Sequence, residues 1–121
     1  MAIVTTGSPV KQVVGSLNIR TTGNIAGKRF VSRAGAQAGA NSNTLGVADI
    51  SAVSGETVLV DHAGMTAVEC GAVLNGSERR LETDANGRAV AFSTGPVVAI
   101  LPPGVTSTAA NQCISVILVP N

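Results

Sequence analysis

Few residues in this chain could do chemistry. His62 is the single histidine, and it follows Asp61. A histidine works as a general base when an acid orients its ring and a hydroxyl, thiol or water lies within reach. Neighbours on an extended chain point to opposite faces, so Asp61 does not orient His62 unless the chain turns there. We read residues 62–64 as a turn and His62 as a solvated side chain in it. Cys70 and Cys113 are the two cysteines. They lie in no nucleophile motif and at no zinc spacing. In a reducing compartment they read as two small buried hydrophobes.

Glu78, Glu82 and Asp84 share a face by period two, and Arg80 lies on that face as well. Paired carboxylates could hold Ca²⁺ or act as acid and base. A polar face toward solvent or a partner is the plainer outcome. There is no P-loop and no GxGxxG. The glycines fall at turns, not ahead of a helix N-terminus that could hold phosphate. We therefore expect no enzyme, no catalytic, cofactor-binding or metal-binding residue, and no cofactor.

Charge excludes further classes. Eight Lys+Arg against seven Asp+Glu leave a net charge of +1. A nucleic-acid binder needs a basic patch making several phosphate contacts. Arg29 with Arg79 and Arg80 is the nearest approach to one, so no nucleic-acid partner is expected. No apolar run approaches the roughly 18 residues of a membrane helix, and no membrane partner is expected. The first residues, MAIVTTGSPVKQ, lack a charged region followed by an apolar one, as a signal peptide would require.

The elements that must position these residues are strands. The stretch GAVLNGSERRLETDANGRAVAF, residues 71–92, reads as strand, turn, strand, turn, strand. Asn75-Gly76 and Asn86-Gly87 mark the reversals, as two-residue type I′ hairpin turns would require. Residues 10–14 and 17–20 read as short strands split at Gly15-Ser16. Residues 28–33, 45–50, 56–61, 97–101 and 114–119 read as further strands. The last is apolar on both faces, which marks a strand buried on both sides. Residues 34–44 and 105–112 hold small or polar side chains and read as long surface loops.

The whole is all-β: a single-domain β-sandwich or small β-barrel of about ten short strands. An extended N-terminal arm with possible short strands covers residues 1–23, and the all-β domain covers residues 24–121. Aromatic residues are 2% of the chain, Phe30 and Phe92 alone, so Val, Ile, Leu and Ala must fill the core. At an offset of 51, Arg29, Ala34, Ala38, Ala40, Ser42, Val47 and Ala48 match Arg80, Ala85, Ala89, Ala91, Ser93, Val98 and Ala99. That pattern suggests an internal duplication, although four of the pairs are alanine in an alanine-rich chain.

Some of these residues carry a family resemblance. They are Gly46-Val47-Ala48, Gly55-Glu56, Val58, Val60, Gly71-Ala72-Val73, Thr83-Asp84-Ala85 and Gly87-Arg88-Ala89. In that order they resemble the capsid cement, or head decoration, proteins of tailed bacteriophages, over roughly residues 45–119. The resemblance implies an all-β structural protein, made in the host cytoplasm, that binds the exterior of the phage head and cements its lattice. It implies the major capsid protein as partner and self-association as a dimer or trimer. A small coat or tail-tube component is the alternative, and a small-ligand or enzymatic β domain a more distant one. Contacts are expected from the arm, residues 1–9, and from the two long loops.

Overall fold

A computed structural model describes residues 11–121, and the arm expected over residues 1–9 lies outside them. The strands are β1 (Gln12–Arg20), β2 (Phe30–Ser32), β3 (Thr44–Ala48), β4 (Thr57–Glu69), β5 (Arg80–Thr83), β6 (Ala89–Ala91), β7 (Ala99–Ile100) and β8 (Cys113–Leu118). All pair antiparallel in one sheet ordered β2-β3-β4-β8-β7-β5-β6, with β1 added on β4. No helix occurs among the described residues. An isolated bridge, Cys70 with Ala89, brings β6 back to the end of β4. The Phe30 N–H donates to the Gly87 carbonyl at 2.8 Å, so the β5–β6 turn also meets β2. The sheet is thereby nearly closed into a barrel, which limits exposed edges.

Two expected breaks are absent. Residues 12–20 form one strand, not two split at Gly15-Ser16, and β4 runs through the turn expected at 62–64. The reason is a pair of bulges. Val13 faces Gly64, Gly15 faces Ala63 and Ser16 faces Asp61, so Val14 and His62 are each an extra residue. Gly64, at φ 95°, supplies the left-handed backbone that a bulge takes more readily than a strand. Gly15 has no side chain, and the His62 imidazole occupies the place a Cβ would take. A glycine inside a strand pattern here means a bulge, not an end.

The 71–92 stretch contains one hairpin, not two. Residues 71–79 are irregular, and Asn75-Gly76 turns the chain without joining two strands. In the β5–β6 hairpin the Gly87 N–H donates to the Asp84 carbonyl, and the Asp84 N–H to the Arg88 carbonyl. Gly87 has φ 72° while Asn86 keeps a negative φ. This is a type I turn closed by a glycine bulge, the three-residue alternative to the type I′ turn. Asp84 selects it, because its Oδ1 accepts the N–H groups of Asn86 and Arg88 and ties the turn to its own side chain.

The core has two parts. The larger holds Phe30, Val47, Val68, Leu74, Leu81, Val98, Ile114 and Val116, and the smaller Ile25, Val31, Ala48, Val58 and Val60. β8 is buried at Ile114, Ser115 and Val116, as its apolar run suggested, while Ile117 is exposed.

The two long loops are not loose surface segments. Ala38 lies in the core, the Thr83 hydroxyl donates to the Gly39 carbonyl at 2.6 Å, and the Ser42 N–H donates to the Thr83 hydroxyl. Val105 and Ser107 are buried, and Ser107 bonds to both Leu74 N–H and the Ala72 carbonyl. The close backbone approach that small side chains permit is made by this chain itself.

The register does not carry the internal duplication through: Phe30 faces Val47 across β2–β3, but Leu81, at the matching position, faces Ala99 across β5–β7, one residue past Val98, the match of Val47. The sheet order keeps a coarser likeness, with β2-β3-β4 followed by β8-β7-β5, and β6 added beyond β5 has no counterpart beyond β2. Each half places a short strand, its partner and a longer strand in the same succession.

Candidate interaction surface

The acidic side chains are the place to begin, because all seven lie among the described residues and each is already engaged. Asp49 Oδ1 accepts from Lys11 Nζ and Lys28 Nζ, each at 2.8 Å. Asp61 is buried, accepts from the Thr66 hydroxyl at 2.8 Å and sits 3.1 Å from Lys11 Nζ. Glu69 pairs with Arg29 at 2.7 Å, and Asp84 with Arg88 at 2.9 Å. Glu56 accepts the Val53 N–H, and Glu78 those of Asn75 and Gly76.

Glu82 is the most enclosed of the glutamates. It lies on the outer face of β5, but residues 93–95 fold over it, and its Oε1 accepts the N–H groups of Ser93, Thr94 and Gly95 at 2.7, 3.0 and 3.0 Å. The expected carboxylate face of Glu78, Glu82 and Asp84 is thus three separate turn and loop locks, not an acid–base pair.

These locks predict an acid response. The Lys11 and Lys28 ammonium groups hold Asp49 down to about 2 from its ordinary 3.8. The N–H groups of Ser93, Gly95 and Thr94 hold Glu82 below its usual value, against the effect of burial. Both folded values are depressed, so the stabilisation is complete above the unfolded values and lost as pH falls through the folded ones. The urea midpoint should therefore fall steadily below about pH 4. Asp49→Asn and Glu82→Gln should each flatten that slope; equal slopes in wild type and variants would contradict the assignment.

The structure keeps Asp61 and His62 apart, as expected for neighbours on a strand. Asp61 is buried against Thr66 while His62 is exposed over Gly15. The two cysteines are not alike: Cys70 is buried in the core, but Cys113 is exposed, which corrects the expectation for it. Cys113 is the first residue of β8, where it pairs with Glu69, the last residue of β4. Among the described residues no three of His, Cys, Asp and Glu gather as a metal site would require.

The basic residues divide. Lys11, Lys28, Arg29 and Arg88 have acidic partners. Arg20, Arg33, Arg79 and Arg80 have none among the described residues, and all four are exposed. Arg29, Arg79 and Arg80 are therefore not one patch, because Arg29 is spent on Glu69 and on the Asn86 carbonyl. Arg80 instead lies 4.6 Å over the ring of Phe92, a cation–π contact. A shallow depression here is lined by Ser77, Glu78, Arg79, Arg80, Ala91 and Phe92. Nothing in the local sequence marks this contact. It depends on the hairpin that places Phe92 beside Arg80, whose carbonyl accepts the Phe92 N–H at 2.9 Å.

The fold defines a small all-β protein with a nearly closed antiparallel sheet. Comparison with solved structures places beside it the N base of the head fiber gp8.5 of bacteriophage phi29, with a TM-score of 0.69 and 17% identity over 87% of this chain and 93% of that one. At that identity the likeness establishes a shared fold. No protein-family model matches the chain. No curated protein matches its sequence.

Proposed function

We propose that this chain is a structural protein of a tailed-phage virion that binds the exterior of the head and cements its lattice. The observation that carries the proposal is the shared fold with the base of a phage head fiber, across nearly the whole length of both chains. The resemblance of residues 45–119 to head decoration proteins points the same way. The major capsid protein is the partner, and copies of the chain associate as dimers or trimers. Repetition over a shell gives avidity from modest individual contacts. Binding only to the assembled shell stabilises that shell by mass action.

The arm and the two long loops were the expected contacts. Both loops are partly engaged within the domain, and their exposed parts are residues 34, 39–41, 43 and 108–112. The test is co-sedimentation of the purified protein with empty heads of the phage that encodes it. Saturable pelleting with heads is the expected result. Protein that stays in the supernatant while heads pellet would sink the proposal.

A further inference from the structure

We infer that the surface around Arg79, Arg80 and Phe92 is a docking site for an acidic segment of a protein partner. The inference rests on the head-binding proposal only for where that segment is found. Geometry comes first. Leu81 is fully buried, so Arg80, one residue earlier on β5, points outward. The backbone beneath is pinned on both sides: the Arg80 carbonyl accepts the Phe92 N–H, and the Arg79 carbonyl accepts the Leu101 N–H at 2.8 Å. A guanidinium held over an aromatic ring loses less freedom on binding and presents a planar fork suited to a carboxylate. Arginine and aromatic side chains are also those most enriched where binding energy concentrates.

Charge is the second observation. An internal acid could have satisfied Arg80, since Glu82 lies two residues along on the same face. It is withheld, because the loop at 93–95 claims its carboxylate with three N–H groups. Glu78 on the rim is tied to Asn75 and Gly76. The offset of 51 supplies a comparison within the molecule. Arg29 occupies the position matching Arg80 and is neutralised by Glu69. In the second half Arg80 lies over Phe92 and makes no ion pair among the described residues. The complementary surface is therefore anionic. A protein carboxylate fits better than nucleic acid, because two arginines neutralise too few phosphates to hold a nucleic-acid chain.

The test uses fluorescein-labelled octaglutamate and, separately, an octathymidylate DNA, with binding read by anisotropy at low salt. Two double variants remove equal charge: Arg79→Gln with Arg80→Gln, and Arg20→Gln with Arg33→Gln. Thermal melts confirm that both fold. The first should weaken peptide binding by about tenfold and the second by less than about twofold. Equal losses would mean that net charge alone is being read, and tighter binding of DNA than of peptide would mean a nucleic-acid surface; either overturns the inference. The first variant should also bind heads about tenfold more weakly. If wild-type protein ignores heads while the peptide result holds, the head-binding proposal fails and this surface stands. If heads bind wild type and variant alike, the surface is not the head contact and the inference falls.

Discussion

Phe30→Ala should cost about 3–5 kcal/mol of unfolding free energy. The ring is fully buried and packs in the larger core cluster, where every other member is aliphatic or a cysteine. Phe92, the other aromatic residue, lies outside that cluster with Arg80 over its ring. Phe30 is the largest side chain of that cluster, so its truncation opens the largest void there. The backbone here also carries closure of the sheet, since Phe30 N–H donates to Gly87 and its carbonyl accepts from Ala38. A domain of this size has roughly 5–15 kcal/mol in total, so the variant should sit near the edge of folding. Urea unfolding checks it: at a slope of about 1–3 kcal/mol/M the midpoint should fall by at least about 1 M. An unchanged midpoint would show that the ring is not the core's organising side chain.

Gly46→Ala should be of comparable size, about 3 kcal/mol, for the opposite reason. Deletion leaves a void; this change inserts an atom where none fits. A Cβ on Gly46 would fall well inside van der Waals contact of the Asp61 carbonyl oxygen and press on Val60. Both are backbone or buried groups of β4 and cannot swing away. To accept the methyl, β3 must part from β4, where Val47 faces Asp61 and Ala48 faces Val60. The companion change Gly39→Ala is the control, because a Cβ there meets nothing within 4 Å. It should alter stability by no more than about 0.5 kcal/mol. Equal effects from the two variants, measured by urea or thermal unfolding, would refute the account of β3–β4 packing.

Much of the architecture was legible from period-two patterns. Val58 and Val60 face the core while Leu59 is exposed between them. Leu81 points in beside Arg80 pointing out. Those alternations follow from the pleat and need no tertiary information. The glycines were harder, because one residue type serves several ends. Gly87 closes a hairpin and Gly64 opens a bulge, at φ 72° and 95°. Gly46 shows no positive φ and is needed only because another strand passes close. Sequence alone cannot tell these apart, since the last depends on a neighbour far along the chain.

The carboxylates divide in the same way. Asp84 locking its own turn is a local interaction, and the DAxGR pattern already contained it. Glu82 held by residues 93–95, Asp49 clamped between Lys11 and Lys28, and Asp61 buried against Thr66 are contacts made after the sheet is assembled.

By itself the sequence determined the all-β class, the absence of a recognisable catalytic motif and the near balance of charge, because composition and local alternation set these. It also carried the pattern at the offset of 51, which the sheet order follows only coarsely. Tertiary structure decided how that balanced charge is distributed. The folded chain engages every acidic side chain internally, some in local turns and others across the assembled sheet, and leaves four arginines facing outward, one of them over the Phe92 ring. Net charge counts residues wherever they sit, whereas the charge that a partner meets depends on which of them the fold has already paired.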